Sequence, residues 1–361
     1  MEYNDYNIHE KYMSRAIHLA QKGLGKVSPN PMVGCVIVKN GKVIGEGFHK
    51  SFGGNHAEIE AFKNCIVDPL DASIYISLEP CSHQGKTPPC HTAIIENGIR
   101  DVYIAMSDPN PIMNGKGIEY LKNKGLNVQI GILEEEAKQI NRGYSNWIKT
   151  KSPLVIGKIA QDKRGFIAKK GSKIWITGNS SKENVHRLRS KVDAIMIGKN
   201  TALIDNPKLT VREVIGFNPK RIILDTNRTL PYDLNVLNDN KSETIILCSN
   251  KKFQDNQTSH CKYLAVNEKD GKLDIKHILI RLGKLGITSL LIEGGANIIQ
   301  SFLNQNLINQ FHLYTSLKTN EELNIKNPFC INEKWEIKDK KFFDDDQLII
   351  LENKEKCLQE S

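Results

Sequence analysis

Three side chains of this sequence, His56, Cys81 and Cys90, have the chemistry of a zinc site, so any fold the chain adopts must bring them to one point. One imidazole and two thiolates leave the fourth tetrahedral position open for water, which is the layout of a catalytic rather than a structural site. Zinc lowers the pKa of such a water from about 15.7 towards about 7, and a proton shuttle is then needed. Glu58 is the candidate. Residues two apart on a helix point to different sides, so His56 and Glu58 serve one site only if His56 stands at a helix entrance. The residues allow this: Gly53-Gly54-Asn55 reads as a loop and Ala57 to Asn64 as a helix. Pro88-Pro89 suits a first helical turn that His91 to Asn97 continues, which puts Cys90 at a helix start and favours its thiolate.

The elements around these ligands alternate. Glu10 to Gln21 carries a helical apolar pattern; Met32 to Lys39 and Val43 to Phe48 read as strands joined at Asn40-Gly41, a strong hairpin signal. Strands follow at Ser73 to Ser77, Val102 to Ala105 and Val128 to Ile130, with helices at Gly117 to Asn123 and Glu134 to Trp147. The order predicts an α/β/α layered domain over residues 1–149. The polar joint Lys149 to Pro153 then leads into new strands at Leu154 to Ile159, Val192 to Ile197, Arg221 to Leu224, Thr244 to Cys248, Tyr263 to Val266 and Ser289 to Ile292. This second α/β domain is expected over 150–353, with 354–361 a loose tail.

Composition narrows the function classes. The 361 residues carry a net charge of +9, yet the lysines are scattered, without a basic tract or arginine stripe, which favours anionic small substrates over nucleic acid. No apolar run approaches a membrane span, and a cytoplasmic protein is expected. The 8 cysteines, two of them in a metal pattern, read as reduced thiols.

H-x-E with a pair of cysteines is the signature of zinc nucleobase deaminases, in which the Glu is acid and base rather than ligand. Here the gap between cysteines is longer. His56-Ala57-Glu58 with the filled stretch Glu79-Pro80-Cys81-Ser82-His83-Gln84-Gly85-Lys86-Thr87-Pro88-Pro89-Cys90 resembles the deaminase half of the bifunctional deaminase/reductases of riboflavin biosynthesis. Pro29-Asn30-Pro31-Met32-Val33-Gly34 and Asp108-Pro109-Asn110-Pro111 resemble the same family. The resemblance implies a substrate pocket lined by Asn30, His49, His83, Lys86, Thr87, Asp108 and Asn110. On composition alone Asn30, Asp108 and Asn110 read equally as turn residues and Lys86 as a solvated loop lysine.

In the second half, Glu293-Gly294-Gly295 between a strand and a helix is either a pyrophosphate seat or a tight turn. With Asp205-Asn206-Pro207, Leu209-Thr210 and Arg212 it resembles the reductase half of that family, which has a dihydrofolate-reductase-like fold and uses NADPH. Carried over, Asp162, Trp175, Thr201, Asp205, Thr226, Gly295, Ala296 and Asn297 are expected at the cofactor, and Lys173, Arg189, Leu209, Arg212 and Glu293 at the substrate. The chain departs from the family at Asp162-Lys163-Arg164-Gly165, where Arg164 replaces the usual aspartate, and at Lys173, where a small polar residue is common. Reversed charge at Arg164 is expected to disturb cofactor or ribose placement. The resemblance implies a bifunctional enzyme: zinc-dependent hydrolytic deamination of 2,5-diamino-6-ribosylamino-4(3H)-pyrimidinone 5′-phosphate, then NADPH-dependent reduction of the ribosyl group to ribityl, in a homo-oligomer. The alternatives are a zinc deaminase of nucleosides or tRNA bases, and a deaminase whose reductase-like half is inactive.

Overall fold

The computed structural model describes residues 2–82, 89–255 and 261–356, with side chains from residue 8 onward. The chain divides into two compact units, Met1–Thr150 and Lys151–Ser361.

In the first unit, helix α1 (Glu2–Ala20) precedes the hairpin β1 (Gly34–Lys39) and β2 (Lys42–Phe48), followed by α2 (Ala57–Lys63), β3 (Ser73–Ile76), α3 (Cys90–Glu96), β4 (Asp101–Ile104), α4 (Lys116–Asn123), β5 (Asn127–Ile130), α5 (Glu134–Ile140) and α6 (Arg142–Thr150). The strands form one sheet in the order β2-β1-β3-β4-β5. Strand β1 is antiparallel to β2 and β3, and β3, β4 and β5 run parallel. Alternate residues of each strand feed opposite faces. Cys35 and Ile37 of β1, Ile74 and Ile76 of β3, and Val102 and Ile104 of β4 pack with Ala57, Ala61, Ile94 and Leu121 of the helices on one side. Val36, Val38 and Tyr75 meet Met13, Ala16, Ile17 and Ala137 on the other. The result is the layered α/β/α arrangement expected from the alternation.

One helix expected over Glu134 to Trp147 is two. The break falls at Asn141, whose buried side-chain amide closes on the backbone of Met32: Met32 N donates to Oδ1 at 2.8 Å and Nδ2 donates to Met32 O at 2.9 Å. A side chain that serves the backbone of a distant segment in this way ends the helix while fixing the loop before β1.

The second unit contains β6 (Leu154–Gln161), β7 (Phe166–Ala168), α7 (Asn179–Arg189), β8 (Ala194–Gly198), α8 (Lys199–Asp205), β9 (Lys220–Leu224), α9 (Asn235–Asn238), β10 (Thr244–Ser249), β11 (Cys261–Val266), β12 (Glu268–Lys269), β13 (Lys272–Leu273), α10 (Ile275–Lys284), β14 (Ser289–Glu293), α11 (Ala296–Asn304), β15 (Gln310–Ser316), β16 (Ile325–Lys326), β17 (Trp335–Phe343) and β18 (Asp346–Asn353). Its main sheet has the order β11-β10-β9-β8-β14-β6-β15-β18-β17. The strands from β11 to β15 are parallel, and β18 and β17 close the edge as an antiparallel hairpin. Chain order reverses where β14 inserts between β8 and β6, and in open α/β sheets ligands bind at the carboxyl ends of strands at such a switch point.

The closing hairpin also supports the front of the unit. Asp346 is buried, and its Oδ2 accepts from Gly178 N at 2.7 Å, directly before α7, while Ser180 Oγ donates to Asp344 Oδ2 at 2.5 Å. Carboxylates at a helix start satisfy its free amides and complement its dipole. Lys354 and Glu355, expected in a loose tail, are tied down: Lys354 N donates to Lys334 O and Asn306 Nδ2 to Glu355 Oε2. No helix among the described residues is long and apolar enough to cross a membrane.

Candidate active sites of the two units

His56 stands at the entrance of α2, in extended conformation, and Glu58 lies in the first turn. The helix is seated tightly on β2 because position 47 is glycine: a Cβ there would meet Ala57 O at 2.3 Å and Ala61 N at 2.3 Å. Cys81 follows β3, and Cys90 is the first residue of α3. Three elements distant in sequence thus deliver their donors to one place. His56 Nδ1 is 3.1 Å from Cys90 Sγ and 3.4 Å from Cys81 Sγ, and Cys90 N donates to Cys81 Sγ at 3.2 Å. All three donor atoms lie within 4.8 Å of one another.

The three groups share their protons: the bond to Cys81 foremost, then burial, push the Cys90 thiol up, so the thiolate expected there from the helix start forms at Cys81 instead. The Cys90 side chain foremost, with His56 and the Cys90 amide, holds the Cys81 thiol down at about 4, so it is a thiolate. Its bond to Cys81 pushes His56 up to about 9. Glu58 is buried, and burial first, then the Cys81 charge, pushes it up to about 7. A carboxyl with a pKa near neutrality can both accept and return a proton.

Asn30 and His49 join this site. His49 is buried with its ring 5.7 Å from that of His56. Its Nδ1 donates to Asn55 O at 2.9 Å, which leaves Nε2 as acceptor for Asn30 Nδ2 at 3.1 Å. Burial lowers the His49 pKa, consistent with this neutral form. The Asn30 amide is thereby fixed with its oxygen free to accept from a ligand.

Asp108 and Asn110 are held through Glu79, whose role the sequence did not disclose. The buried Glu79 carboxylate accepts from Asp108 N at 3.1 Å, Gly115 N at 3.0 Å and Gly117 N at 3.0 Å. Asp108 Oδ1 in turn accepts from Tyr144 Oη at 2.9 Å and Asn110 N at 2.9 Å. Asp108 therefore shapes its loop through Oδ1. His83, Lys86 and Thr87 lie outside the described residues.

The second unit contains a cavity of about 940 Å³ lined by residues at the ends of β6, β8 and β14. Trp175, Thr201, Asp205, Gly295, Ala296, Asn297, Lys173, Arg189, Leu209, Arg212 and Glu293 all line it. Gly294 and Gly295 have φ of +82° and +79°, the left-handed region, and a Cβ on Gly295 would meet Thr201 Oγ1 at 3.2 Å. These glycines bring bare backbone to the start of α11, where free amides face an anion.

At the floor, the Arg189 guanidinium grips Glu293 with Nε to Oε1 at 2.7 Å and Nη2 to Oε2 at 2.8 Å. Lys158, a residue that sequence reasoning missed, faces the same cavity and pairs with Glu293 across the β6–β14 register. Burial lowers its pKa, opposed by Glu293. A lysine inside an otherwise apolar strand was the signal in the sequence.

Asp162 and Thr226 do not line this cavity. The buried Asp162 carboxylate instead folds its own turn, accepting from Arg164 N at 3.0 Å, Phe166 N at 2.9 Å and Asn320 N at 3.2 Å. Thr226 accepts through its backbone oxygen from Ser249 N. Nor is Arg164 a charge directed at a cofactor. Its Nε donates to Asp162 Oδ2 at 3.1 Å, Nη1 to Glu321 Oε2 at 2.8 Å and Nη2 to Asn320 O at 2.6 Å, so its charge is met by its own turn and by the segment after β15.

A cluster of metal-binding side chains with a buried carboxyl on an α/β/α sheet, followed by a parallel-sheet unit with a basic cavity at a switch point, defines a two-domain deaminase/reductase. The sequence matches the cytidine and deoxycytidylate deaminase zinc-binding region over residues 6–106 and the RibD C-terminal domain over residues 155–316. It is 39% identical over 312 residues to riboflavin biosynthesis protein RibD of Actinobacillus pleuropneumoniae, covering 85% of this chain and 83% of that one. The RibD of Aquifex aeolicus is 38% identical over 315 residues, with 86% and 87% covered. Among solved structures, a diaminohydroxyphosphoribosylaminopyrimidine deaminase/5-amino-6-(5-phosphoribosylamino)uracil reductase from Thermotoga maritima superposes with a TM-score of 0.86 at 34% identity, over 97% of this chain and 99% of that one. The chain belongs to the RibD family of riboflavin-biosynthesis proteins, bifunctional enzymes with deaminase and reductase domains.

Proposed function

We propose that the first unit hydrolyses the 2-amino group of 2,5-diamino-6-ribosylamino-4(3H)-pyrimidinone 5′-phosphate and that the second reduces the ribosyl group of the product with NADPH. The buried Glu58 beside the His56, Cys81 and Cys90 donors carries the first half of this reading. Those three residues would hold zinc, which when bound supplies Lewis acidity and a water acidified to near neutrality. Glu58 takes one proton of the attacking water and passes it to the ring nitrogen, then takes the second from the resulting hydroxyl and passes it to the departing amine, which leaves as ammonia as the ring carbonyl forms. The neutral His49 holds the Asn30 amide so that its oxygen accepts from the pyrimidine edge. Asp108 and Asn110 border the pocket through the loop that Glu79 organises, and His83, Lys86 and Thr87 are assigned to the ribose phosphate.

In the second unit, the bare backbone of Gly294-Gly295 beside Thr201 suits a pyrophosphate at the start of α11, and Trp175, 64% exposed at the rim, offers a stacking face. Thr201, Asp205, Gly295, Ala296 and Asn297 would hold NADPH, which supplies hydride to the ribosyl C1′. Asp162 and Thr226 act indirectly, through the loops they fix. Arg212, Lys173 and Leu209 meet the phosphorylated substrate, and Lys158 presents its ammonium to the sugar oxygens against the Glu293–Arg189 pair. The arrangement of Arg164 favours an active reductase unit over a vestigial one, because its charge is spent on Asp162 and Glu321.

The test is a two-step assay on zinc-loaded protein, with ammonia release from the diaminopyrimidine ribotide followed by loss of NADPH absorbance in the same cuvette. Both signals in that order are expected. Ammonia without NADPH oxidation would overturn the second half, and neither signal with zinc verified as bound would overturn the substrate.

A further inference from the structure

We propose that His186 is a positioning residue of the reductase unit, holding the Leu209–Arg212 arm in the shape in which Leu209 and Arg212 meet the substrate. It rests on the reading of those two residues as substrate contacts. The arm needs holding. Leu209 is buried with a φ of +51°, the left-handed region that is strained for a residue with a Cβ and that glycine adopts freely. Three contacts impose it, two of them from one helix. Arg189 Nη1 donates to Thr210 O at 3.3 Å, and one turn earlier on α7 the His186 Nδ1 accepts from Arg212 N at 3.3 Å. Asn218 Oδ1 takes the amide between them, from Val211 N, at 2.8 Å.

The imidazole can do this only while Nδ1 is bare. His186 is 1% exposed and lines the cavity beside Arg189, Arg212 and Glu293. Burial foremost, then the charges of Arg189 and Arg212, push it down to about 4. It is thus a neutral acceptor with its proton on Nε2. Because Arg189 also grips Glu293, α7 couples the floor of the cavity to the arm at its side. His186 supplies the second point at which α7 holds the arm; without it the arm is tied at Thr210 and Val211 but Arg212 itself is released.

The test uses full-length zinc-loaded protein and steady-state NADPH oxidation with the deaminated ribosylaminopyrimidine phosphate. His186→Asn places an amide oxygen where Nδ1 lies. His186→Gln is closer to histidine in volume but reaches the Nε2 position instead, and His186→Leu removes the acceptor. The substrate KM is expected to rise about 10- to 100-fold in the Leu and Gln variants and to stay within about 3-fold in the Asn variant, as for loss of one buried acceptor. The kcat and the KM for NADPH are expected to hold, showing that the reductase unit has folded, and ammonia release, which belongs to the other unit, is expected to be unchanged. Equal losses in all three variants, or retention in Gln but not Asn, would mean a packing role and overturn the proposal. Arg212→Met separates the two levels of the argument. If it raises the substrate KM while His186→Leu does not, only the positioning role falls; if Arg212→Met changes nothing, the assignment of the arm falls with it.

Discussion

Glu293 and Lys158 stand opposite each other on adjacent parallel strands, and Glu293 is held from its other side by both prongs of Arg189. Burial by itself would raise this carboxyl, but Arg189 and then Lys158 outweigh it and bring Glu293 down to about 2. A folded-state value below the ordinary 4.5 means that the charge stabilises the fold above that pH and that the contribution is lost as the pH falls towards about 2. Glu293→Gln is expected to cost about 3–5 kcal/mol near neutrality, because Arg189 is left buried without its anion. The Tm gap between the parent and this variant, read on the reductase-unit transition, narrows in acid. A gap as wide at about pH 3 as at about pH 7 would count against the ionised pair.

Lys158→Met keeps the length of the side chain and removes the ammonium. NADPH oxidation is expected to fall by about 10²-fold or more, the scale of losing a positioned polar catalyst. NADPH binding, followed by quenching of Trp fluorescence, stays close to that of the parent. Loss of cofactor binding instead would place Lys158 at the nucleotide rather than at the sugar.

Glu58→Gln is expected to retain zinc by metal analysis while ammonia release drops about 10²- to 10⁴-fold. Cys81→Ser loses the metal as well. Reduction of substrate already deaminated continues in both variants, since the two activities occupy separate units. A Glu58→Gln protein with near-parental ammonia release would remove Glu58 from the proton path.

Glu79→Gln swaps an acceptor of backbone amides for a group that is half donor. At least one of the amides of Asp108, Gly115 and Gly117 then faces an N–H, at a cost of about 1–3 kcal/mol. The deaminase transition is expected to move to lower temperature and the KM of deamination to rise, with zinc content unchanged. Loss of zinc would show that Glu79 supports Cys81 rather than the Asp108 loop.

Arg164 departs from the family pattern without disturbing the cavity. Arg164→Asp, which restores the usual residue type, is expected to place a carboxylate against Asp162 and Glu321 and to destabilise the turn. Arg164→Ala leaves the KM for NADPH within about 3-fold, the scale of a lost exposed contact. A sharper cofactor defect in the Ala variant would put Arg164 back in the binding site.

The metal set and the alternation of elements were legible in the sequence because both are local: a ligand with its flanking turn, a strand with its two-residue period. The residues that sequence reasoning missed are organised by distant partners. Glu79 looks like part of the cysteine motif but its amide partners lie past Asp108. Asp162 sits where a cofactor contact was expected, yet it folds a turn with Asn320. Arg164 was visible as a departure, but its counter-charge Glu321 comes from the segment after the neighbouring strand β15, 157 positions along the chain. His186 carries no motif at all, since its meaning depends on the backbone amide of Arg212. Among the strands after Leu303, β17, Trp335 to Phe343, also went unread, because it exposes most of its side chains and shows little apolar alternation.

The carboxylates at the tip of the β17–β18 hairpin have a consequence for the order in which a newly made chain becomes competent. Helix α7, with Lys182, His186 and Arg189, has its entrance held at Gly178 and Ser180 by Asp346 and Asp344, more than 160 positions later in synthesis. The metal-binding unit, bounded at Thr150, has every one of its ligands by Cys90. On a ribosome, where domains fold in turn from the N-terminus, the first catalyst can take up its ion while the second is still without the residues that hold the entrance of that helix. The earlier step of the chemistry is thus also the earlier one to mature.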